Sequence, residues 1–203
     1  RVEIGRRLPT DPRAGVDYDA LLHALGERVK ELGALRSAAS MLLHDEPVPD
    51  LLQRMAGALP PAMQFPDVTV ARVSYGGIEG TSANFQPPRW SLSSHFVTSD
   101  GRAGEVLVGY LEERWPPGTA PFLEEESNLL ESLADMLRSH FERRRAEDAL
   151  RRSEALLRTA GRIARLGAWK VEPPGETVVW SDEVCAIHDV PAGSTPSLEQ
   201  TIA

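Results

Sequence analysis

Few residues in this chain could do chemistry, and the first of them close a helix-forming segment: Ser40-Met41-Leu42-Leu43-His44-Asp45-Glu46-Pro47-Val48-Pro49. An imidazole on a rigid helix with a carboxylate beside it can accept a phosphoryl group or a proton. A phosphoacceptor must stand exposed on a helix that continues past it and faces an ATP-binding domain. Here Pro47 stops the helix three residues after His44, because proline lacks an amide donor and pushes its predecessor out of helical geometry. The Arg-Thr/Asn-Pro continuation of such a motif is missing, and the chain has no Gly-rich ATP box. His44 is therefore expected to be a polar residue of the last helical turn, favoured there by the helix dipole when protonated.

The remaining reactive groups are sparse. Of His23, His44, His95, His140 and His188, no two are three to five residues apart, so no metal site is expected. The cluster His44-Asp45-Glu46 reads as a solvated helix end before it reads as a weak cation site. Cys185 is the single cysteine. It excludes an internal disulfide and any zinc site built on several thiolates, points to a reducing cytoplasm, and is expected as a small buried apolar residue. No catalytic site is expected in this segment.

Charge narrows the partners. The balance of 22 basic against 30 acidic residues gives a net charge of −8, which favours solubility and disfavours nucleic-acid or anionic-membrane binding. The arginines between Phe141 and Glu154 alternate with acids at pairing distances, as in Glu147 with Arg151, so they predict a solvated helix face. No apolar run approaches about eighteen residues, and Arg1 to Arg7 lack a signal peptide's apolar core. No membrane insertion is expected. The chain opens without methionine and stops at Glu199-Gln200-Thr201-Ile202-Ala203, which reads as an excised piece of something longer.

The elements that position these groups follow from periodicity. From Asp17 to His44, apolar residues fall at Leu22, Leu25, Val29, Leu32, Ala39 and Leu43, the three-and-four spacing of a coiled-coil seam broken only by Arg36. This predicts a long helix over residues 17–46, behind a tail of residues 1–16, that pairs with a second copy of itself. Pro47 and Pro49 end it, and Asp50 is expected to cap a short helix carrying Leu51, Leu52, Met55 and Leu59.

After Pro60-Pro61 the period changes. Asp67 to Tyr75 (DVTVARVSY) is rich in β-branched residues and is followed by the turn signal Gly76-Gly77. A weaker strand is expected near Ser82 to Gln86. Arg89 to Thr98 and Ala103 to Glu112 flank Ser99-Asp100-Gly101-Arg102, whose Asp-Gly pair suits a hairpin turn with positive φ. The fold class is thus expected to be α+β, with an antiparallel sheet of about four strands and flanking helices over residues 47–122. Tyr75, Trp90, His95, Phe96 and Tyr110 fall on these strands. They are expected to fill a core, and no cofactor is expected.

Beyond Trp115-Pro116-Pro117-Gly118 the helical period returns over residues 123–165. Leu129, Met136, Leu150, Leu157 and Ala164 recur every seven residues with Arg143 in register, and Leu133, Leu137 and Phe141 widen the stripe at its start. Such a helix runs roughly 60 to 70 Å at 1.5 Å per residue, more than one small domain covers, so a parallel homodimer is its simplest burial. The expected dimer and signalling residues are Leu22, Leu25, Val29, Leu32, Leu129, Leu133, Met136, Leu150 and Leu157. The seam weakens between Phe141 and Leu150, where a marginal coil can switch register at small energetic cost. In the last segment, 166–203, Ala168 to Glu172 and Thr177 to Trp180 read as a hairpin around Pro173-Pro174-Gly175-Glu176, and Ser181 as the cap of a short helix ending near His188.

The order helix, short helix, antiparallel strands, long helix, with the run Pro121-Phe122-Leu123-Glu124-Glu125-Glu126-Ser127-Asn128-Leu129-Leu130, resembles a GAF domain of bacterial signalling proteins over about residues 20–145. Leu59-Pro60-Pro61-Ala62-Met63-Gln64-Phe65-Pro66-Asp67 before the strand Val68 to Tyr75 looks like the compact GAF-like input domains of sensor histidine kinases. Arg162-Ile163-Ala164-Arg165-Leu166-Gly167-Ala168-Trp169, with Val179-Trp180-Ser181-Asp182-Glu183-Val184-Cys185-Ala186-Ile187-His188, is similar to the opening of a PAS domain. Many such domains have glycine where this chain has Asp189, and aspartate tolerates left-handed geometry better than most residues.

The resemblance implies a sensory and dimerisation input fragment of a bacterial two-component sensor histidine kinase. It would relay a signal through parallel coiled-coil helices to an output domain in cis beyond residue 203. The cysteines that methionine-sulfoxide-reducing GAF enzymes and bilin-binding domains use, and the Asn-Lys-Phe-Asp-Glu signature of cyclic-nucleotide-binding GAF domains, have no counterpart here. Two alternatives stay open. The module could feed a cyclic-dinucleotide cyclase or phosphodiesterase, or it could be a non-enzymatic interaction scaffold.

Overall fold

The computed structural model describes residues 18–172 and 177–194. The expected tail 1–16, Asp17, the expected turn Pro173-Pro174-Gly175-Glu176 and residues 195–203 lie outside the described residues. The chain divides into two compact units, Arg1–Glu142 and Arg143–Ala203.

The first unit is α+β. Helix α1 (Tyr18–Leu42) and helix α2 (Val48–Ala58) lead through two single 3₁₀ turns, Pro60–Ala62 and Pro66–Val68, into β1 (Thr69–Tyr75), β2 (Ile78–Thr81), β3 (Trp90–Val97) and β4 (Ala103–Tyr110). All strand pairs are antiparallel, in the order β2-β1-β4-β3. Helix α3 (Glu124–Ala164) begins in this unit and continues into the second.

Two local expectations are corrected. The prolines at 47 and 49 do more than break α1: Pro47 occupies the cap position of α2 and Pro49 its first turn, so Asp50 is already inside the helix. First-turn amides have no intrahelical partner, and a proline there removes nothing. The second strand lies at Ile78–Thr81, ahead of the expected Ser82 to Gln86. Gly76 and Gly77 both have positive φ, 58° and 86°, which makes a two-residue hairpin turn and pairs Tyr75 directly with Ile78. Ser82 continues the link to β1 with backbone and side chain together: its amide donates to Ala71 O at 2.9 Å and its Oγ accepts from the Ala71 amide at 3.1 Å.

One sheet face carries the core. Ala71, Val73 and Tyr75 of β1, Val106, Val108 and Tyr110 of β4, and Phe96 of β3 are buried against Leu51, Leu52 and Met55 of α2 and Leu129, Leu133, Leu137 and Phe141 of α3. The period of two in the strands and 3.6 in the helices puts these residues on facing sides. α2 lies so close to β2 that a Cβ on Gly80 would fall 2.3 Å from the Gln53 nitrogen and the Leu52 carbonyl carbon. Gln53 then seals that sheet edge: its side-chain amide donates to Thr81 O at 2.7 Å and its Oε1 accepts from Thr81 N at 3.2 Å.

In the second unit, β5 (Trp169–Glu172) and β6 (Thr177–Trp180) pair as the expected hairpin, followed by α4 (Asp182–Ile187). Ser181 caps α4, its Oγ accepting from the Val184 amide at 3.4 Å and from the Ala168 amide at 3.0 Å. Asp189 has φ 55° and Arg165 φ 51°, both left-handed. Val178, Val184 and Cys185 are buried.

Candidate functional site: helix seams and the root of α3

α1 has two apolar faces. Ala34, Leu35, Ala38, Met41 and Leu42 pack on the core, whereas Leu22, Leu25, Val29 and Leu32 are 53 to 68% exposed. Ala39 and Leu43, which continue the second set, are exposed as well. At about 100° per residue the two sets lie roughly 140° apart round the helix. A helix serving only its own core carries polar residues on the far side, and this one carries leucines.

α3 is fastened to the sheet where it starts. Glu126 is 3% exposed. Its Oε1 accepts from the Tyr110 hydroxyl at 2.6 Å and the Gln64 amide at 2.7 Å, and its Oε2 from the Leu123 amide at 2.8 Å. Leu123 immediately precedes the helix, so the last bond is the returning half of a capping box, made by an acid at the third helical position. One carboxylate thus joins the helix start, β4 and the loop before β1. Burial, and then the Glu126 carboxylate as acceptor and as charge, push the Tyr110 hydroxyl well above the ordinary phenol range.

It is fastened again sixteen residues later. The Phe141 ring stacks on Tyr75 with centroids 3.8 Å apart and lies 6.3 Å from Phe96. Glu142 accepts the Ser99 amide on Oε1 and the Ser99 hydroxyl, at 2.8 Å, on Oε2. Ser99 sits at the tip of the β3–β4 hairpin. Beyond Glu142 the large apolar side chains of α3 are in solvent, with Leu150, Leu156, Leu157 and Ile163 60 to 79% exposed.

The nine expected dimer residues therefore fall in two environments. Leu22, Leu25, Val29, Leu32, Leu150 and Leu157 are exposed. Leu129 and Leu133 are enclosed by the chain's own core and Met136 packs partly against it, because the first turns of α3 lie on the sheet. A partner helix cannot reach those two leucines in this fold.

The other singled-out residues have local roles. α1 ends at Leu42, two residues before His44, and the exposed His44 ring reaches back a turn to donate from Nδ1 to Ser40 O at 2.8 Å. Glu46 binds Arg54 of α2 through both carboxylate oxygens, at 2.9 and 2.8 Å. Cys185 is 1% exposed. Tyr75, Phe96 and Tyr110 are in the core, Trp90 is half-buried against it, and His95 is exposed, 3.8 Å from Glu105. Between α1, α2, the sheet and α3 lies an apolar cleft lined by Ala34, Ala38, Met41, Met55, Ala58, Leu59, Val73, Val106 and Leu133. Its cavity volume of about 20 Å³ is on the order of one water molecule. Among the described residues there is no cluster of three or more metal-ligating side chains, and no helix long and apolar enough to cross a membrane.

Sequence reasoning missed Glu126 and the Ser99–Glu142 contact. Glu126 had a weak local signal, an acid three residues after the helix boundary, but no serine or threonine at the cap to complete it. No model of a known protein family matches the chain, and no curated protein matches it.

Proposed function

We propose that this chain is a sensory and dimerisation input segment of a bacterial two-component sensor histidine kinase. In this reading the first unit is a compact GAF-like domain and the second the start of a PAS domain. The chain is cytoplasmic, has no catalytic site in this segment, and pairs with a second copy through parallel helices that pass a signal to an output domain in cis beyond residue 203.

The observation that carries the reading is the second apolar face of α1. Burying an exposed leucine or valine contributes about 1.5 to 3 kcal/mol. Four such residues at roughly 60% exposure offer on the order of 4 to 7 kcal/mol per helix. Association costs an estimated 4 to 15 kcal/mol, so α1 pairs alone give a marginal dimer. The exposed leucines of α3 add a comparable amount and tip the balance. A dimer held by two separately marginal seams can be shifted by a small change at either, as signal relay requires.

The test is sedimentation velocity and native mass spectrometry on the whole chain and on two variants, Leu22→Ser/Leu25→Ser/Val29→Ser/Leu32→Ser and Leu150→Ser/Leu157→Ser. A dimer in the parent that weakens in each variant, with unchanged far-ultraviolet circular dichroism, supports the reading. A parent that stays monomeric at every attainable concentration overturns it. The signalling part is tested by fusing the segment to a histidine-kinase output domain, where the same substitutions should alter autophosphorylation.

A further inference from the structure

We infer that the tip of the β3–β4 hairpin is a clamp on α3, closed by Ser99 on Glu142, which fixes the point where the helix stops packing on its own sheet. As a signalling device it rests on the proposed pairing of the exposed seam; as a structural coupling it stands alone.

The position of the clamp is what gives it meaning. Up to Phe141 the apolar residues of α3 are buried on one side: Leu129, Leu133, Leu137 and Phe141. After it the apolar residues are Leu150, Leu156, Leu157 and Ile163, all exposed. At about 100° per residue the second stripe lies roughly 150° round the helix from the first. Between the stripes stand four consecutive charged residues, Glu142-Arg143-Arg144-Arg145. The clamp grips the first of these four.

Its geometry makes it responsive to the sheet. Ser99 donates twice to one carboxylate, from its amide and its hydroxyl, so the contact fixes direction as well as distance. Next to it, Thr98 is 3% exposed and its Oγ1 donates to Asp100 Oδ1 at 2.6 Å and lies 3.2 Å from the Tyr75 hydroxyl. Tyr75 carries the Phe141 stack. α3 is thus held at two successive residues, Phe141 by the stack on Tyr75 and Glu142 by the hydrogen bonds of the hairpin tip. A displacement of the hairpin arrives at the turn where the helix exchanges its buried apolar face for an exposed one. With the clamp open, that turn loses its hydrogen bonds to the hairpin tip while the stack remains, and the residues that follow gain freedom to fray or rotate.

The test is amide hydrogen exchange read by mass spectrometry on the whole chain, comparing the parent with Ser99→Ala, Glu142→Ala, the double variant and Ser99→Thr. Each alanine variant should speed exchange across residues 139–150 by about threefold or more while β1 and β4 are unchanged, because the clamp governs a local opening. The double variant should add little to Glu142→Ala, which already removes the acceptor of both Ser99 bonds. Ser99→Thr keeps both donors and should match the parent. Faster exchange confined to residues 97–102, or additive effects in the double variant, would overturn the clamp. A monomeric parent would remove the signalling role and leave the exchange result to decide the coupling.

Discussion

Replacing Tyr110 with phenylalanine tests the carboxylate at the root of α3 almost in isolation. The tyrosine ring is fully buried, edge-on to Phe65 at 5.5 Å and stacked on Phe122 at 4.7 Å, and phenylalanine keeps both contacts. What is lost is the hydroxyl, with its hydrogen bond of 2.6 Å to Glu126 Oε1 and its backbone contacts at Phe65 and Gln64, while the Gln64 and Leu123 amides remain on the carboxylate. Hydrogen bonds to charged groups contribute about 1.5 to 3 kcal/mol, and Tyr110→Phe should destabilise the first unit by that amount with an unchanged denaturant slope. Glu126→Ala removes the acceptor of three bonds and strands one buried and two part-buried donors, so its loss should reach about 3 to 5 kcal/mol.

The pH dependence gives an independent check on the same pair. Burial and Glu126 raise the Tyr110 pKa above the ordinary 10.0. Above that pH the unfolded phenol gives up its proton while the folded one keeps it, so the unfolded state binds fewer protons. The contribution is therefore complete below pH 10.0 and is lost upward from there, at about 1.4 kcal/mol per pH unit. Tyr110→Phe lacks this term, so the gap between parent and variant should close as pH rises through this window. The assay is urea unfolding followed by tryptophan fluorescence in a Trp169→Phe/Trp180→Phe background, where only Trp90 and Trp115 of the first unit report. A variant within about 0.5 kcal/mol of the parent at neutral pH, or a gap indifferent to alkali, would refute the reasoning.

Three further outcomes follow from packing. Gly80→Ala places a methyl 2.3 Å from the α2 backbone, which no side-chain movement relieves, and a thermal melt should show a loss of about 3 kcal/mol or more. Arg165 and Asp189 hold left-handed backbone at φ 51° and 55°; glycine at either removes about 1 kcal/mol of strain, and a small rise in the second unit's melting temperature is the outcome to look for. Cys185→Ser puts a hydroxyl at a position 1% exposed, costing about 1 to 3 kcal/mol, whereas the parent thiol should react with Ellman's reagent only as fast as the unit opens.

Features set by neighbours in sequence were legible before the structure. The Asp100-Gly101 turn, the Ser181 cap and the left-handed Asp189 each depend on a few adjacent residues, and each is found where expected. The strands β1, β3 and β4 followed from β-branched content and alternation. β2 was displaced because Gly76-Gly77 can end a strand or turn it within two residues, and only positive φ at both glycines distinguishes these. Glu126 was out of reach for a different reason. Its partners Gln64 and Tyr110 are 62 and 16 residues away, and no local pattern encodes that convergence.

Heptad counting met a deeper obstacle on the long helices, because the spacing that buries a helix on its own sheet nearly coincides with the spacing that buries it on a partner. Leu129, Leu133, Leu150 and Leu157 read alike in sequence, yet the first two are 1% and 3% exposed and the last two 60% and 69%. The same substitution should therefore separate them. Leu133→Ser empties a core position and should cost the first unit about 3 kcal/mol or more. Leu157→Ser should leave that unit's unfolding unchanged and act, if pairing occurs, on the dimer dissociation constant alone. Equal destabilisation of the first unit by both would mean that the two stripes form one continuous buried face, and the division of α3 at Glu142 would have to be abandoned.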